Sequence, residues 1–214
     1  MDIQAILKPV HSAQIDALNK PNKRVQNTRN VILDAAVSLY KSQGINSTSI
    51  STVIEKSKVG RTTFYRHFSD RDDVLNQALI RDFESLMTDF SKNTRRYESL
   101  EEQIEEDMIW FLDQFANRPA LSLISSNIEW QRYHQSARSV ELFRDASIAC
   151  ASPTYQRAME EGRLRQGITL DQYIDWASFV VVSMQLVKLP GPEKRFRYRE
   201  MLRNFLVPSL ITVD

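Results

Sequence analysis

Residues 44–75, GINSTSISTVIEKSKVGRTTFYRHFSDRDDVL, constrain this chain more than any other stretch. Gly44 fits a helix C′ position, where left-handed backbone favours glycine. Asn46, Ser47 and Thr48 supply loop and cap chemistry, and Thr48 is the expected N-cap of a short helix from Ser49 to about Lys56. Ile50, Val53 and Ile54 form its apolar stripe. Ser57-Lys58-Val59-Gly60 reads as a turn, with Val59 filling the angle to a second short helix over about Arg61–His67. Phe64 and Phe68, four apart, should face inward. Ser69 opens a further helix, with Asp72 three residues on as its capping pair. Two short helices joined by a tight turn between longer amphipathic ones describe a helix-turn-helix unit, whose second helix enters a DNA major groove.

The helix before this stretch is expected from about Thr28 to Gln43, with Val31, Ile32, Ala35, Ala36, Leu39 and Tyr40 on one face. The residues left to face outward suit a groove. Arg61 can donate two hydrogen bonds to guanine, and Thr62 and Thr63 can touch a thymine methyl or a phosphate. Tyr65, Arg66 and His67 can donate to phosphate oxygens. A solvated helix face over an aromatic core would leave the same pattern. Charge favours the first reading: Lys20–Arg71 holds ten basic and three acidic residues, a net +7, which leaves −6 on the rest of a chain whose formal charge is +1. A basic end on an acidic body suits a protein that meets DNA with one end.

Thr28 to about Ala78 resembles the N-terminal domain of the TetR family of transcriptional regulators. The resemblance is carried by Ala35-Ala36, Gly44, Thr48-Ser49-Ile50, Val59, the block Arg61-Thr62-Thr63-Phe64-Tyr65-Arg66-His67-Phe68 and Arg71-Asp72-Asp73-Val74-Leu75. It implies that Thr48 and Ser49 contact phosphates, that Arg61, Thr62 and Thr63 enter the major groove, and that Tyr65, Arg66, His67 and Arg71 clamp the backbone. It also implies that the helix after Ser69 links the DNA-binding head to the body and transmits a switch. Two positions depart from the pattern. Lys58 stands where many members have Gly, and Gly60 stands where they have Ser or Thr, so both join the candidate DNA-contacting set as places where operator preference differs.

Beyond the head the chain reads as helix throughout. A stripe from Val74 to Phe90 runs to about residue 91. Ser99 and Glu102 cap a helix that ends before Asn117-Arg118-Pro119, and Pro119 opens the next. Another runs from about Ser139, and Ser152-Pro153 reads as a break with a fresh cap. Thr169 and Gln172 cap a helix that is apolar nearly all round through Val187, and Pro190-Gly191-Pro192 ends it before a last helix over about Glu193–Leu210. The expected fold is all-α, with about nine to ten helices: a leader (1–27), a three-helix head (28–75) and a helical bundle for effector binding and dimerisation (76–214). Lys20, Lys23 and Arg24 in the leader suit an arm on phosphates or an unstructured tail. The last two helices, about residues 170–210, suit a two-fold homodimer interface or a monomer's own core. A dimer implies a palindromic operator.

Wide side chains in the middle helices, Trp110, Phe111, Phe115, Trp130, Tyr133, Phe143, Tyr155 and Trp176, can wall a pocket for an apolar or aromatic effector or serve as ordinary core. Cys150, the single cysteine, suits a reducing compartment and reads as small core or redox sensor. His11, His67 and His134 are widely spaced with no Cys/His cluster, so neither a metal nor a cofactor is expected. No apolar run reaches the roughly 18 residues of a membrane span, and Asp2, Lys8 and His11 interrupt any signal-peptide core, so the chain should be cytoplasmic. No nucleophile elbow, phosphate loop or carboxylate pair speaks for an enzyme. The expected function is a DNA-binding regulator, a repressor released from its operator by a small apolar or aromatic effector. The alternative is the same fold gated by a protein partner without an effector.

Overall fold

The computed structural model describes residues 23–93, 95–124, 137–186, 189, 191 and 193–213, all-helical apart from turns and one isolated bridge between Leu164 and Ile211. Most of the leader, Lys20 included, lies outside the described residues, as do Trp130, Tyr133 and the prolines at 190 and 192.

Helix α1 spans Lys23–Gln43 and so begins five residues before the expected start. Lys23 and Arg24 are therefore helical, and the Thr28 hydroxyl donates to the Arg24 carbonyl at 3.0 Å. The buried face carries Ile32, Leu33, Ala36, Val37 and Tyr40, whereas Val31, expected inside, is 41% exposed. Gly44 follows at φ +89° and ends the helix as expected.

Helix α2 spans Ile50–Ser57 and α3 spans Arg61–His67. The cap of α2 is Ser49, one residue later than expected: its hydroxyl accepts from Thr52 N at 3.2 Å, and Thr52 Oγ1 accepts from Ser49 N at 3.1 Å. Helix α3 has seven residues and Gly60 at its N-cap without a side-chain bond. So short a helix is not stable by itself. Packing of Phe64 and Phe68, both fully buried, holds it.

Helix α4 spans Arg71–Asn93. Its cap also lies one residue beyond the expected Ser69–Asp72 pair. Asp70 Oδ1 accepts from Asp73 N at 2.8 Å, and Asp73 Oδ2 accepts from Ser69 N at 2.9 Å. A carboxylate interacts more favourably than a hydroxyl with the positive helix N-terminus, which explains the shift. One apolar core runs from α1–α3 through Val74, Leu75, Leu79, Phe83 and Leu86 of α4, and on to Phe115 and Leu121 of the body. Head and linker helix are thus one packed unit.

Helix α5 spans Leu100–Asn117 and is capped by Ser99, whose hydroxyl accepts from Glu102 N at 3.1 Å, as expected. A short α6 spans Leu121–Ile124. Asp82 of α4, buried, accepts from Ala120 N at 2.5 Å and Leu121 N at 3.4 Å and so caps α6 from below. Arg118 adds bonds to Ser85 at 2.8 Å and Asp89 at 2.5 Å. The turn between α5 and α6 is thereby pinned to the linker helix.

Helix α7 spans Ala137–Glu160 and passes straight through Pro153, contrary to the expected break at Ser152-Pro153. Proline removes one helical N–H, but α7 is flanked by α4, α5 and α8. The Ser152 hydroxyl meanwhile bonds to the Ile148 carbonyl at 2.6 Å. Helix α8 spans Leu170–Leu186 with the expected Thr169/Gln172 box: Gln172 Oε1 accepts from Thr169 N at 3.1 Å, and Thr169 Oγ1 from Gln172 N at 3.3 Å. The C-terminal segment runs through α9 (Lys194–Met201), a π-helical turn over Leu202–Leu206 and α10 (Val207–Leu210). A second core joins Leu100, Ile104, Ile109 and Leu112 to Ala158, Tyr173, Met184, Tyr198, Leu202 and Leu206.

Candidate nucleic-acid interface

The head presents one polar face. Arg61, Thr62, Tyr65 and Arg66 of α3 are exposed and Thr63 is half-exposed, with Phe64 and Phe68 holding the opposite side. The Arg61 guanidinium lies 5.6 Å from the centre of the Tyr65 ring, a cation–π contact that steadies both long side chains at the surface. Ser49, Lys58 and Gly60 are also exposed beside this face. Arg71 donates to the Asn46 carbonyl at 3.3 Å and lies 3.8 Å from Asp72, tying α4 to the loop before α2.

Two residues expected at the DNA backbone are placed otherwise. Thr48 is 1% exposed: its hydroxyl donates to the Gly44 carbonyl at 2.8 Å and accepts from Gln43 Nε2 at 3.3 Å, so it braces the loop instead of facing outward. His67 turns its Nε2 inward, where the atom is buried without a hydrogen-bond partner among the described residues. Burial first, then the charges of Arg66 and Arg29, hold its imidazole below the usual histidine range. Both follow from facts that spacing does not show: Thr48 completes a turn, and the last residue of a seven-residue helix lies under the next element.

Lys58 is the only non-glycine residue among those described with positive φ (φ 54°, ψ 28°), at the C-cap of α2. A side chain there costs about 1–2 kcal/mol relative to a relaxed backbone. Lys58→Gly is therefore expected to raise the melting midpoint by about 2–4 °C per kcal/mol regained, read by calorimetry. An unchanged midpoint would show that the turn carries no such strain. If the ammonium meets a phosphate, the same variant lowers the slope of log affinity against log salt by about one.

Behind the head, α4, α5, α7 and α8 line a partly open cavity of about 160 Å³. Phe83, Leu86, Met87 and Phe90 of the linker helix form one wall, and Phe111 and Phe115 of α5 another. Of the aromatic residues expected in a pocket, these last two line it. Trp110 packs edge-on against Phe90 and Phe111, at 5.2 and 5.3 Å. Tyr155 meets Tyr173 edge-on and donates to the Ile168 carbonyl at 3.1 Å. Trp176 faces outward, 43% exposed. The side chain of Phe143 lies outside the described part of α7. Cys150 and Tyr173 line the cavity as well, and so does a residue that the aromatic pattern could not reveal, Asp107. Burial pushes the Asp107 carboxyl up to about 6, against the hydrogen bonds from Thr154 and Gln103 that favour its charge. Burial likewise pushes the Cys150 thiol up to about 12. The reactive thiolate is thus suppressed, which removes the basis for a redox sensor.

Residues 32–78 match the family described as bacterial regulatory proteins, tetR family. Over 122 residues the chain is 27% identical to an HTH-type transcriptional regulator of Staphylococcus aureus strain USA300, covering 56% of this chain and 66% of that protein. The crystal structure of a TetR family regulator from Shewanella sp. PV-4 superposes with a TM-score of 0.66 at 16% identity, over 87% of this chain and 99% of its own. Residues 32–78 thus carry a TetR-type N-terminal domain. RolR, solved in complex with resorcinol, shares the fold with a TM-score of 0.62 at 16% identity, over 85% of this chain and 88% of its own. The family match runs from the middle of α1 through α2 and α3 to the first eight residues of α4, and so takes in the polar face and the start of the linker helix. The match to the Staphylococcus regulator spans 66% of that relative's length. Among the described residues no helix is long and apolar enough to cross a membrane, and no group of three or more His, Cys, Asp or Glu is placed to hold a metal.

Proposed function

We propose that this protein is a dimeric repressor that reads a palindromic operator with α3 and leaves it when a small, largely apolar molecule occupies the cavity of the body. The observation that carries the reading is that the linker helix serves both sites. Its N-terminal half belongs to the core of the head, and its middle, Phe83 to Phe90, is a wall of the cavity. A helix of 23 residues is about 35 Å long, so a small tilt at the cavity displaces the head. The resorcinol bound by RolR supports a single-ring effector, which matches a cavity of about 160 Å³.

Dimerisation through about residues 170–210 is supported by the surface. Trp176 and Phe179 of α8 and Phe196, Met201 and Phe205 of the C-terminal segment are between 41% and 71% exposed, while most of the chain's other large apolar side chains are buried. Trp176 Nε1 donates to Ser209 Oγ at 2.8 Å, which ties α8 to α10.

The test is selection of bound fragments from genomic DNA, followed by gel shift on the enriched site. Arg61→Ala is expected to lose about 1–3 kcal/mol of discrimination between that site and random DNA, because Arg61 opens the helix assigned to the groove. Undiminished discrimination would remove Arg61 from base readout.

A further inference from the structure

We infer that the cavity takes a small apolar amine, its ammonium paired with the Asp107 carboxylate and its hydrocarbon body seated against Phe83, Phe111 and Phe115. This rests on the effector-gated reading above and names the effector's chemical class.

The cavity wall is mainly apolar, with Ser147, Thr154, Ser178, Tyr173 and Asp107 among its polar lining residues. Asp107, 9% exposed, accepts from Gln103 Nε2 at 3.0 Å through Oδ1 and from Thr154 Oγ1 at 3.0 Å through Oδ2. A carboxylate accepts about four hydrogen bonds, so two positions remain open. No Lys, Arg or His among the described residues lines the cavity. The charged neighbour that acts on Asp107 is Glu106, and it is of like sign. A carboxylate held in apolar surroundings without a cation is an unfavourable state of the empty protein. The cost is incurred on folding, so a cation that enters faces only its own desolvation and gains the ion pair. Tyr173, 3% exposed, also lines the cavity, close enough for the Asp107 charge to act on it. It offers the ammonium a second acceptor. A neutral donor would leave the charge uncompensated, and a carboxylic acid would face Asp107 with like charge. The volume, close to that of a cavity known to hold benzene, limits the body to about one ring.

The contrary view is that Asp107 only bridges α5 to Thr154 of α7. Protonated benzylamine and the near-isosteric benzyl alcohol separate the two when titrated calorimetrically into the full-length protein. Wild type is expected to bind the amine about 10- to 100-fold more tightly than the alcohol, the range of a hydrogen bond to a charged group. Asp107→Asn keeps an acceptor for Gln103 and offers Thr154 a donor, so it retains the bridge but not the charge. It is expected to abolish the preference while leaving alcohol binding in place. Equal binding of the two probes by wild type, which needs no variant, overturns the assignment. A preference that survives Asp107→Asn overturns it too, as does no binding of either probe at millimolar concentration. DNA release is scored separately on the selected operator. Amine binding without release supports the Asp107 assignment and overturns the gating reading, whereas release by the alcohol alone does the reverse.

Discussion

Phe205→Asp is expected to turn a dimer into a monomer and to abolish tight operator binding while the protomer stays folded. Phe205 is 71% exposed on the π-helical turn, among Phe179 at 62%, Phe196 at 60% and Trp176 at 43%. Trp176 and Phe179 stack at 5.6 Å between ring centres, so α8 contributes an exposed aromatic surface of its own. Fully burying a phenylalanine side chain is worth about 1.5–3 kcal/mol, and a two-fold interface contains the position twice. Loss of both copies therefore weakens association by about 3–6 kcal/mol, or roughly 10²- to 10⁴-fold, before the penalty of two buried carboxylates. An exposed position adds little to the protomer's own stability, with surface changes usually within about 0.5 kcal/mol. In the proposed reading each head reads bases with Arg61, Thr62 and Thr63 alone, so a monomer is expected not to hold a specific site. Light scattering at micromolar concentration with a gel shift on the same sample checks both halves. A variant that remains dimeric places the interface elsewhere.

Spacing in the sequence exposed the head well because each rule there had one outcome. Phe64 and Phe68 are buried, Gly44 is left-handed, and Arg61 begins α3. The misses have a common cause. Ser49 rather than Thr48 caps α2, and Asp70 rather than Ser69 caps α4. Adjacent polar residues are interchangeable on paper, and only packing decides which one turns inward. Pro153 was read as a stop, but α7 lies between other helices, which outweigh one lost hydrogen bond. In the body, of the expected aromatic residues whose side chains are described, Phe111 and Phe115 line the cavity, whereas Trp110, Tyr155 and Trp176 do not. Large rings are mostly consumed by pairwise packing, as Trp110 is against Phe90 and Phe111. The informative residue was an acid on the apolar side of α5. Asp107 lies three and four residues from Ile104 and Phe111, within the stripe that the helix buries, whereas Glu101 and Glu106 form ion pairs with Arg163 and Arg199. A carboxylate at a core position is legible in the helical periodicity of α5.

Phe64→Ala is expected to cost about 3–5 kcal/mol, the range for removing a buried aromatic ring. Phe64 is fully buried, 5.7 Å from Phe68 and edge-on to Tyr65 at 5.4 Å between ring centres. Helix α3 depends on this aromatic packing, shared with Phe68, since it has seven residues and Gly60 offers no side-chain cap. Tyr65→Ala, on the exposed side, is expected to change stability by no more than about 0.5 kcal/mol. Urea unfolding of the two variants, followed at once by circular dichroism and tryptophan fluorescence, measures the difference. All three tryptophans (Trp110, Trp130, Trp176) lie outside the head, so fluorescence reports the body. The core of the head continues without interruption into α4, Phe115 and Leu121. Phe64→Ala should therefore shift the fluorescence transition together with the helical one. An early helical phase with unmoved fluorescence would mean that the head melts alone, and a head that melts alone cannot be tilted by a ligand wedged against Phe83 and Phe90. Coincident shifts would show the rigid connection that gating through α4 requires.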